Sequence, residues 1–233
     1  LQRAHAAATR LHDGARPVIV EGAMDLEAVR TLGDSLVPLA PCGTALTQDQ
    51  LNALRRTRGG ELNDLVLALD ADDAGRKAAL RTWTLLTPTE AEHATVATLP
   101  DGADPAQLVQ DGLEHDLAQA LTTPRPLVDV LIDTVITNAN LKHIEGRVGA
   151  LRTIAHAVAP LSVDAIAHAR TELVTRLDGL LEETTITDEL INAHLDHQQA
   201  AIPKPPAGPT APGSPPHHAL NLPRTNEKRS PEI

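Results

Sequence analysis

Val18-Ile19-Val20-Glu21-Gly22-Ala23-Met24-Asp25 decides how this chain is read. An apolar run ends on a carboxylate, a glycine makes the turn, and a helical pattern follows from Asp25 to Leu32. Leu65-Val66-Leu67-Ala68-Leu69 repeats the scheme: the run ends on Asp70-Ala71-Asp72, and Asp73-Ala74-Gly75-Arg76-Lys77 opens another helix. Continuous apolar runs suit strands buried on both faces of a parallel sheet. Two such strands bring their terminal acids together at the sheet edge where open α/β proteins bind ligands. Clustered carboxylates repel unless a cation neutralises them, and hard oxygen donors suit Mg²⁺.

The surrounding sequence alternates strands with helices. Residues 3–12 read as a short helix, 17–20 as the first strand and Leu36–Ala40 as the second. Thr47 with Gln50 fits a capping box for a helix from Gln48 to Arg58. Leu65–Leu69 is the third strand, Ala74–Leu86 a helix and Ala94–Leu99 the fourth strand. Pro105, at a first helical position, starts a helix to Gln110, and Glu114–Leu121 is another. This order predicts a mainly parallel α/β sheet with crossover helices.

After Thr122-Thr123-Pro124 the pattern becomes helix only. Leu127, Leu131 and Val135 share one face, and Ile144, Val148, Leu151, Ala155 and Val158 form a stripe. Ser162 caps a helix expected to turn Val163, Ile166, Leu173 and Leu177 inward, and Thr187–Gln198 is a fourth helix. From Ala201 onward the chain holds nine of its eighteen prolines and reads as disordered. The expected organisation is an N-terminal helix in 1–15, an α/β domain in 16–123, a helical subdomain in 124–200 and a tail in 201–233.

Composition narrows the function. Phe and Tyr are absent and Trp83 is the only aromatic, so the chain lacks the ring platforms on which single strands usually stack. Net charge is −11; four basic and two acidic residues after Ala201 give the tail +2, leaving −13 on the remainder. Nucleic-acid binders normally carry a basic footprint. Contact with DNA or RNA would therefore need metal ions or another segment to supply positive charge. The lone Cys42 excludes an internal disulfide and a Cys₄ zinc site. Among eleven histidines, His194 and His197 share a helix face and His217 and His218 are adjacent, but no third ligand accompanies them at metal spacing, so no zinc is expected. The absence of a long apolar span or a signal-peptide pattern points to a cytoplasmic protein without a membrane partner.

Four stretches carry a family resemblance: Val-Glu-Gly-Ala-Met-Asp (20–25), Cys-Gly-Thr-Ala-Leu-Thr (42–47), Leu-Asp-Ala-Asp-Asp-Ala-Gly-Arg (69–76) and Leu-Pro-Asp-Gly-Ala-Asp-Pro (99–105). In this order and spacing they resemble the TOPRIM domain, and within that superfamily bacterial DNA primase of the DnaG type. The likeness runs from about Leu11 to about Leu180. It implies a Rossmann-like, mainly parallel sheet flanked by helices, then a small all-helical subdomain with Glu145-Gly146-Arg147 in its loop-to-helix region. It also implies Mg²⁺, with Mn²⁺ able to substitute, held by Glu21, Asp70, Asp72 and Asp104, with Glu21 as the catalytic acid/base. Asp25 matches a further family acid. Many relatives carry another acid two residues after Asp104; Ala106 stands there, which weakens a second metal subsite.

The implied activity is synthesis of short RNA primers during DNA replication. The partners are a single-stranded DNA template and nucleoside triphosphates, and a replicative helicase is a further candidate. Bacterial primases also carry a zinc ribbon and a basic N-terminal subdomain, which these 233 residues do not contain. The chain starts at Leu1 within a helical pattern, so a fragment or a late-started gene is expected. Two other readings stay open: a non-catalytic module that binds metal, nucleotide or a partner, and a TOPRIM nuclease. The helical segment 124–180 favours primase over nuclease.

Each residue also has a structural reading. Glu21 alone could be a solvated acid. Asp70 and Asp72 fall on one side as their strand ends, so both can face one cation. Acid at a helix N-terminus accounts for Asp73 but poorly for Asp70, which follows five apolar residues. Asp101 lies in Pro-Asp-Gly, a turn signal, and serves as well there as at a metal. Gly22 and Gly43 allow close backbone approach or make plain turns. Arg76, Lys77 and Arg147 could meet phosphate or simply face solvent.

Overall fold

The computed structural model of the chain describes residues 2–41, 45–100 and 102–201. Gly43, Asp101 and the Pro-rich tail from residue 202 lie outside the described residues.

Five strands form one sheet: β1 (Arg16–Val20), β2 (Leu36–Leu39), β3 (Val66–Ala68), β4 (Thr95–Val96) and β5 (Arg125–Pro126), in the order β2-β1-β3-β4-β5. The first four run parallel, and β5 pairs antiparallel with β4. The expected mainly parallel α/β sheet is present. The chain leaves β1 toward β2 on one side, then crosses to β3 on the other. That reversal puts a topological switch point between β1 and β3, outside whose C-terminal ends such sheets bind ligands.

Alternation along the strands divides the core between two faces. Val18, Val20, Val66 and Ala68 pack with α2 (Ala23–Arg30), α6 (Pro105–Gln110) and α7 (Glu114–Thr122) through Ala28, Val29, Leu108, Leu117 and Leu121. Ile19 and Leu67 point the other way, toward α3 (Gln48–Arg58) and α4 (Asp73–Trp83). The same core continues into α8 (Leu127–Asn138), α9 (Ile144–Val158), α10 (Val163–Arg176) and α11 (Glu183–Ala201), where Leu127, Ile132, Ile154, Leu173 and Leu190 are buried. No described helix is long and apolar enough to cross a membrane.

Local signals work as read. Thr47 and Gln50 close a capping box at α3, and Ser162 Oγ accepts from Ala165 N–H at α10. Four expectations need correction. Helix α5 (Pro88–His93) was not foreseen, although Thr87-Pro88-Thr89-Glu90 forms a capping box with proline at the first helical position. The strand expected over Ala94–Leu99 is a ladder of two residues, and β5 precedes the run of helices. Helix α11 begins at Glu183, four residues before the expected start. Ile144 and Val163, expected to face inward, are 54% and 71% exposed. Each is the first residue of its helix, where the first turn projects past the neighbouring elements.

Two polar devices tie the elements together. Glu90 is fully buried; it accepts from Arg55 Nε at 2.7 Å, Leu62 N–H at 3.1 Å and Thr87 N–H at 3.0 Å, joining α3 to α5. Arg147 donates to the Leu141 carbonyl at 2.6 Å and the Leu180 carbonyl at 3.2 Å. It therefore closes loops in the helical region. Gly146 has an equally local reason: a Cβ there would lie 2.1 Å from the Asn140 carbonyl oxygen.

Candidate functional site

Register places the acids. Val20 pairs with Ala68, so Glu21 leaves β1 beside Leu69 and Asp70 follows one residue farther on. The Asp70 N–H donates to Glu21 Oε1 at 3.2 Å. The two carboxylates thus belong to one edge, outside the C-terminal ends of β1 and β3.

The loops after β3 and β4 are clipped together. Ala71 N–H donates to the Ala103 carbonyl at 3.3 Å, and Gly102 N–H to the Ala71 carbonyl at 3.4 Å. These bonds carry Asp104 toward Asp70. Asp72 caps α4, its Oδ1 accepting from Gly75 N–H at 2.8 Å. Asp104 caps α6 in the same way, accepting from Gln107 N–H at 2.6 Å. One oxygen of each carboxylate is engaged as a cap, and the other makes no hydrogen bond with a described residue.

Burial pushes the Asp70 carboxyl up to about 6, and the charges of Glu21, Asp25, Asp104 and Asp72 push in the same direction. Four acids therefore bear on one carboxylate, which leaves the edge with concentrated negative charge.

Asp25 is 7% exposed, and both of its oxygens are engaged. Oδ2 accepts from Gly22 N–H at 3.0 Å and Oδ1 from Ala106 N–H at 3.3 Å. It fastens the turn after β1 to the first turn of α6. Ala106 contributes its main chain to that clasp. A Cβ on Gly22 would lie 3.2 Å from Asp25 Oδ2, so the glycine leaves room for the carboxylate.

Gly75 is a position whose steric role the sequence reading missed. A Cβ there would lie 2.2 Å from the Asp70 carbonyl oxygen. Only glycine lets α4 start this close to the Asp70 loop. The signal was present in the run Asp72-Asp73-Ala74-Gly75, with a glycine inside the first helical turn. Arg76 pairs with Asp73 in the same turn, and Lys77 is exposed on the next face.

The donor set is entirely carboxylate oxygen, and none of the four acids forms an ion pair with a described residue, which fits a hard divalent cation. Among the described residues, no three acidic, histidine or cysteine side chains stand close enough together to hold a metal ion by themselves. The edge is an open acidic rim, the form expected where a cation completes its coordination with phosphate and water.

Two cavities open on either side of α4. One, of about 260 Å³, is lined by Glu21, Leu46, Leu69 and Arg81 among others. The other, of about 240 Å³, is lined by Asp70, Arg76, Arg125 and Asp133 among others.

Comparison with known proteins agrees with this architecture. The sequence model of the Toprim-like family matches residues 18–109. The DNA primase of Mycolicibacterium smegmatis is 34% identical over 150 residues, covering 60% of this chain and 22% of the relative. The DNA primase of Streptomyces coelicolor is 31% identical over 168 residues, covering 71% and 25%. Among solved structures, the RNA polymerase domain of Mycobacterium tuberculosis primase DnaG, in complex with double-stranded DNA, superimposes with a TM-score of 0.59 at 30% identity. That match covers 75% of this chain and 55% of that one. A DnaG primase catalytic domain bound to single-stranded DNA gives 0.56 at 28% identity, covering 73% and 53%. The chain spans about a quarter or less of the length of these curated relatives. The expected resemblance to the TOPRIM domain of DnaG-type primase holds in both sequence and fold.

Proposed function

We infer that this chain, which carries the TOPRIM-type core of a DnaG primase, joins ribonucleotides into short primers on single-stranded DNA. One juxtaposition carries the reading: Glu21 and Asp70 meet at the switch-point edge of a fold shared with primase catalytic cores. Glu21, Asp70, Asp72 and Asp104 would hold Mg²⁺, with Mn²⁺ as a substitute. When bound, the ion would neutralise the triphosphate and lower the cost of hydroxyl attack on the α-phosphorus.

The chain's own residues divide the remaining work. Glu21 would take the proton of the primer 3′-hydroxyl as its oxygen bonds to the α-phosphorus. The bond from that phosphorus to the bridging oxygen breaks, and pyrophosphate leaves. Asp25 holds the turn that presents Glu21, and Gly75 sets the distance between α4 and the Asp70 loop. The acidic surface and the single tryptophan leave template affinity to metal ions and to basic segments acting with this one.

A non-catalytic metal- or nucleotide-binding module is the second reading. It is favoured by the open acidic rim and by Ala106 in place of a second acid. Primer synthesis on single-stranded DNA with Mg²⁺ separates the two. The assay uses the chain alone and then joined to an N-terminal primase segment. Extension by the joined protein supports the primase reading; metal binding without any extension supports the module.

A further inference from the structure

The arginines around the two cavities differ in one respect. Arg76 and Arg125, on the Asp70 side, already have carboxylate partners: Arg76 pairs with Asp73, and Arg125 with Asp133 at 2.7 Å. The Arg81 guanidinium, on the Glu21 side, makes no hydrogen bond or ion pair with any described residue, while the Arg81 carbonyl accepts from the Thr84 hydroxyl at 2.8 Å. Lys77, one helical turn earlier on the same face of α4, forms no ion pair with a described residue, though its charge acts on Asp73. In a chain of net charge −11, an exposed guanidinium with no carboxylate partner, lining the same cavity as the candidate catalytic acid, is open to an anion.

We propose that Arg81 receives the polyphosphate tail of a nucleoside triphosphate, in the cavity it shares with Glu21. The inference rests on the polymerising role given above and adds the side from which the nucleotide enters. A guanidinium presents a planar fork of donors that matches phosphate oxygens two at a time. Ile19, Leu46 and Leu69 line the same cavity, and their apolar walls lower the local dielectric and strengthen the contact. At about 260 Å³ the cavity falls short of the roughly 300–1,000 Å³ usual for whole ligands. It takes the phosphates and leaves sugar and base outside. That division suits an enzyme whose base choice is made by pairing with a template. The Asp70-side cavity lacks a free cation among its described residues, so the polyanion has no receptor there.

The test is calorimetric titration of the full chain with Mg²⁺ alone, then with inorganic tripolyphosphate, ATP or adenosine in the presence of Mg²⁺. Tripolyphosphate and ATP are expected to bind similarly and adenosine not at all. Arg81→Ala should weaken both phosphate ligands about tenfold, the loss of one charge-assisted pair. Arg81→Lys should recover part of that loss. Mg²⁺ binding without phosphate, and the thermal midpoint, should stay as in the wild type. Arg125→Ala should bind both phosphate ligands like the wild type. Unchanged affinity in Arg81→Ala, an equal loss in Arg125→Ala, or no phosphate binding by the wild type would each overturn the proposal. Failure of the functional reading looks different: tripolyphosphate would bind through Arg81, yet the joined protein would extend no primer.

Discussion

The main-chain N–H of Asp70 donates to the Glu21 carboxylate at 3.2 Å, across 49 residues of sequence. This bond fixes Glu21 against the end of the neighbouring strand. It also makes the Asp70 loop sensitive to anything that moves α4.

Charge repulsion at the edge gives the first prediction. The Asp70 carboxyl sits near 6 in the fold, above its ordinary 3.8. The metal-free folded protein therefore takes up a proton there as pH falls from 7 toward 5, and it gains stability over that window. Asp70→Asn should remove this gain and stabilise the metal-free protein at pH 7 by on the order of 1 kcal/mol, after solvent screening. Asp70→Asn with Asp72→Asn should abolish Mg²⁺ or Mn²⁺ binding. Denaturation in chelator and calorimetry with metal check both; unchanged metal affinity in the double variant would remove the site assignment.

The buried pair between α3 and α5 gives the second. Removing one partner of a buried ion pair costs about 3–5 kcal/mol, because the other charge stays uncompensated. Arg55→Ala should lose about that much by urea denaturation. Arg55 and two main-chain N–H groups hold the Glu90 carboxyl below its ordinary 4.5, despite burial. Its contribution is present above that value and lost as pH falls below it through the folded-state value. Glu90→Gln should therefore show a flatter stability curve below about pH 4.5 than the wild type, and a curve of equal slope would contradict the assignment.

Two glycines separate fold from function. Gly75→Ala and Gly146→Ala each drive a Cβ into a carbonyl oxygen, at 2.2 and 2.1 Å, so both should destabilise the fold by about 2–3 kcal/mol. Only Gly75→Ala displaces the Asp70 loop, so only it should weaken Mg²⁺ binding. Equal metal affinities in the two variants would show that the loop does not shape the site.

Much of this was legible in sequence, for identifiable reasons. Val18–Val20 and Leu65–Leu69 were readable as strands because both faces of the sheet are covered, so the apolar run is unbroken. Glu21 and Asp70 stood out because acid directly after such a run has no place in a core. What escaped was set by tertiary placement. The clasp from Asp25 to Ala106 joins residues 81 apart in sequence, and the need for glycine at position 75 appears only once α4 is laid against Asp70. Arg81 resembled any exposed helix residue until the fold put it in the lining of the same cavity as Glu21. Helix α5 was missed despite its capping box, since six residues carry too little periodicity to register.

Template binding should be weak in the isolated chain. The sequence up to residue 200 carries −13, so affinity for single-stranded DNA should fall steeply with salt and improve with Mg²⁺. Filter binding from 50 to 200 mM salt checks this; tight, salt-resistant binding would contradict it.

The central claim is that the acidic edge between β1 and β3 makes the phosphodiester bond. Its most direct test is ribonucleotide incorporation on single-stranded DNA with Mg²⁺. The chain, joined to an N-terminal primase segment, is compared with the same protein carrying Glu21→Gln. The account predicts incorporation by the former and a loss of about a hundredfold or more in the latter, with an unchanged thermal midpoint. Equal incorporation by the two proteins would contradict it.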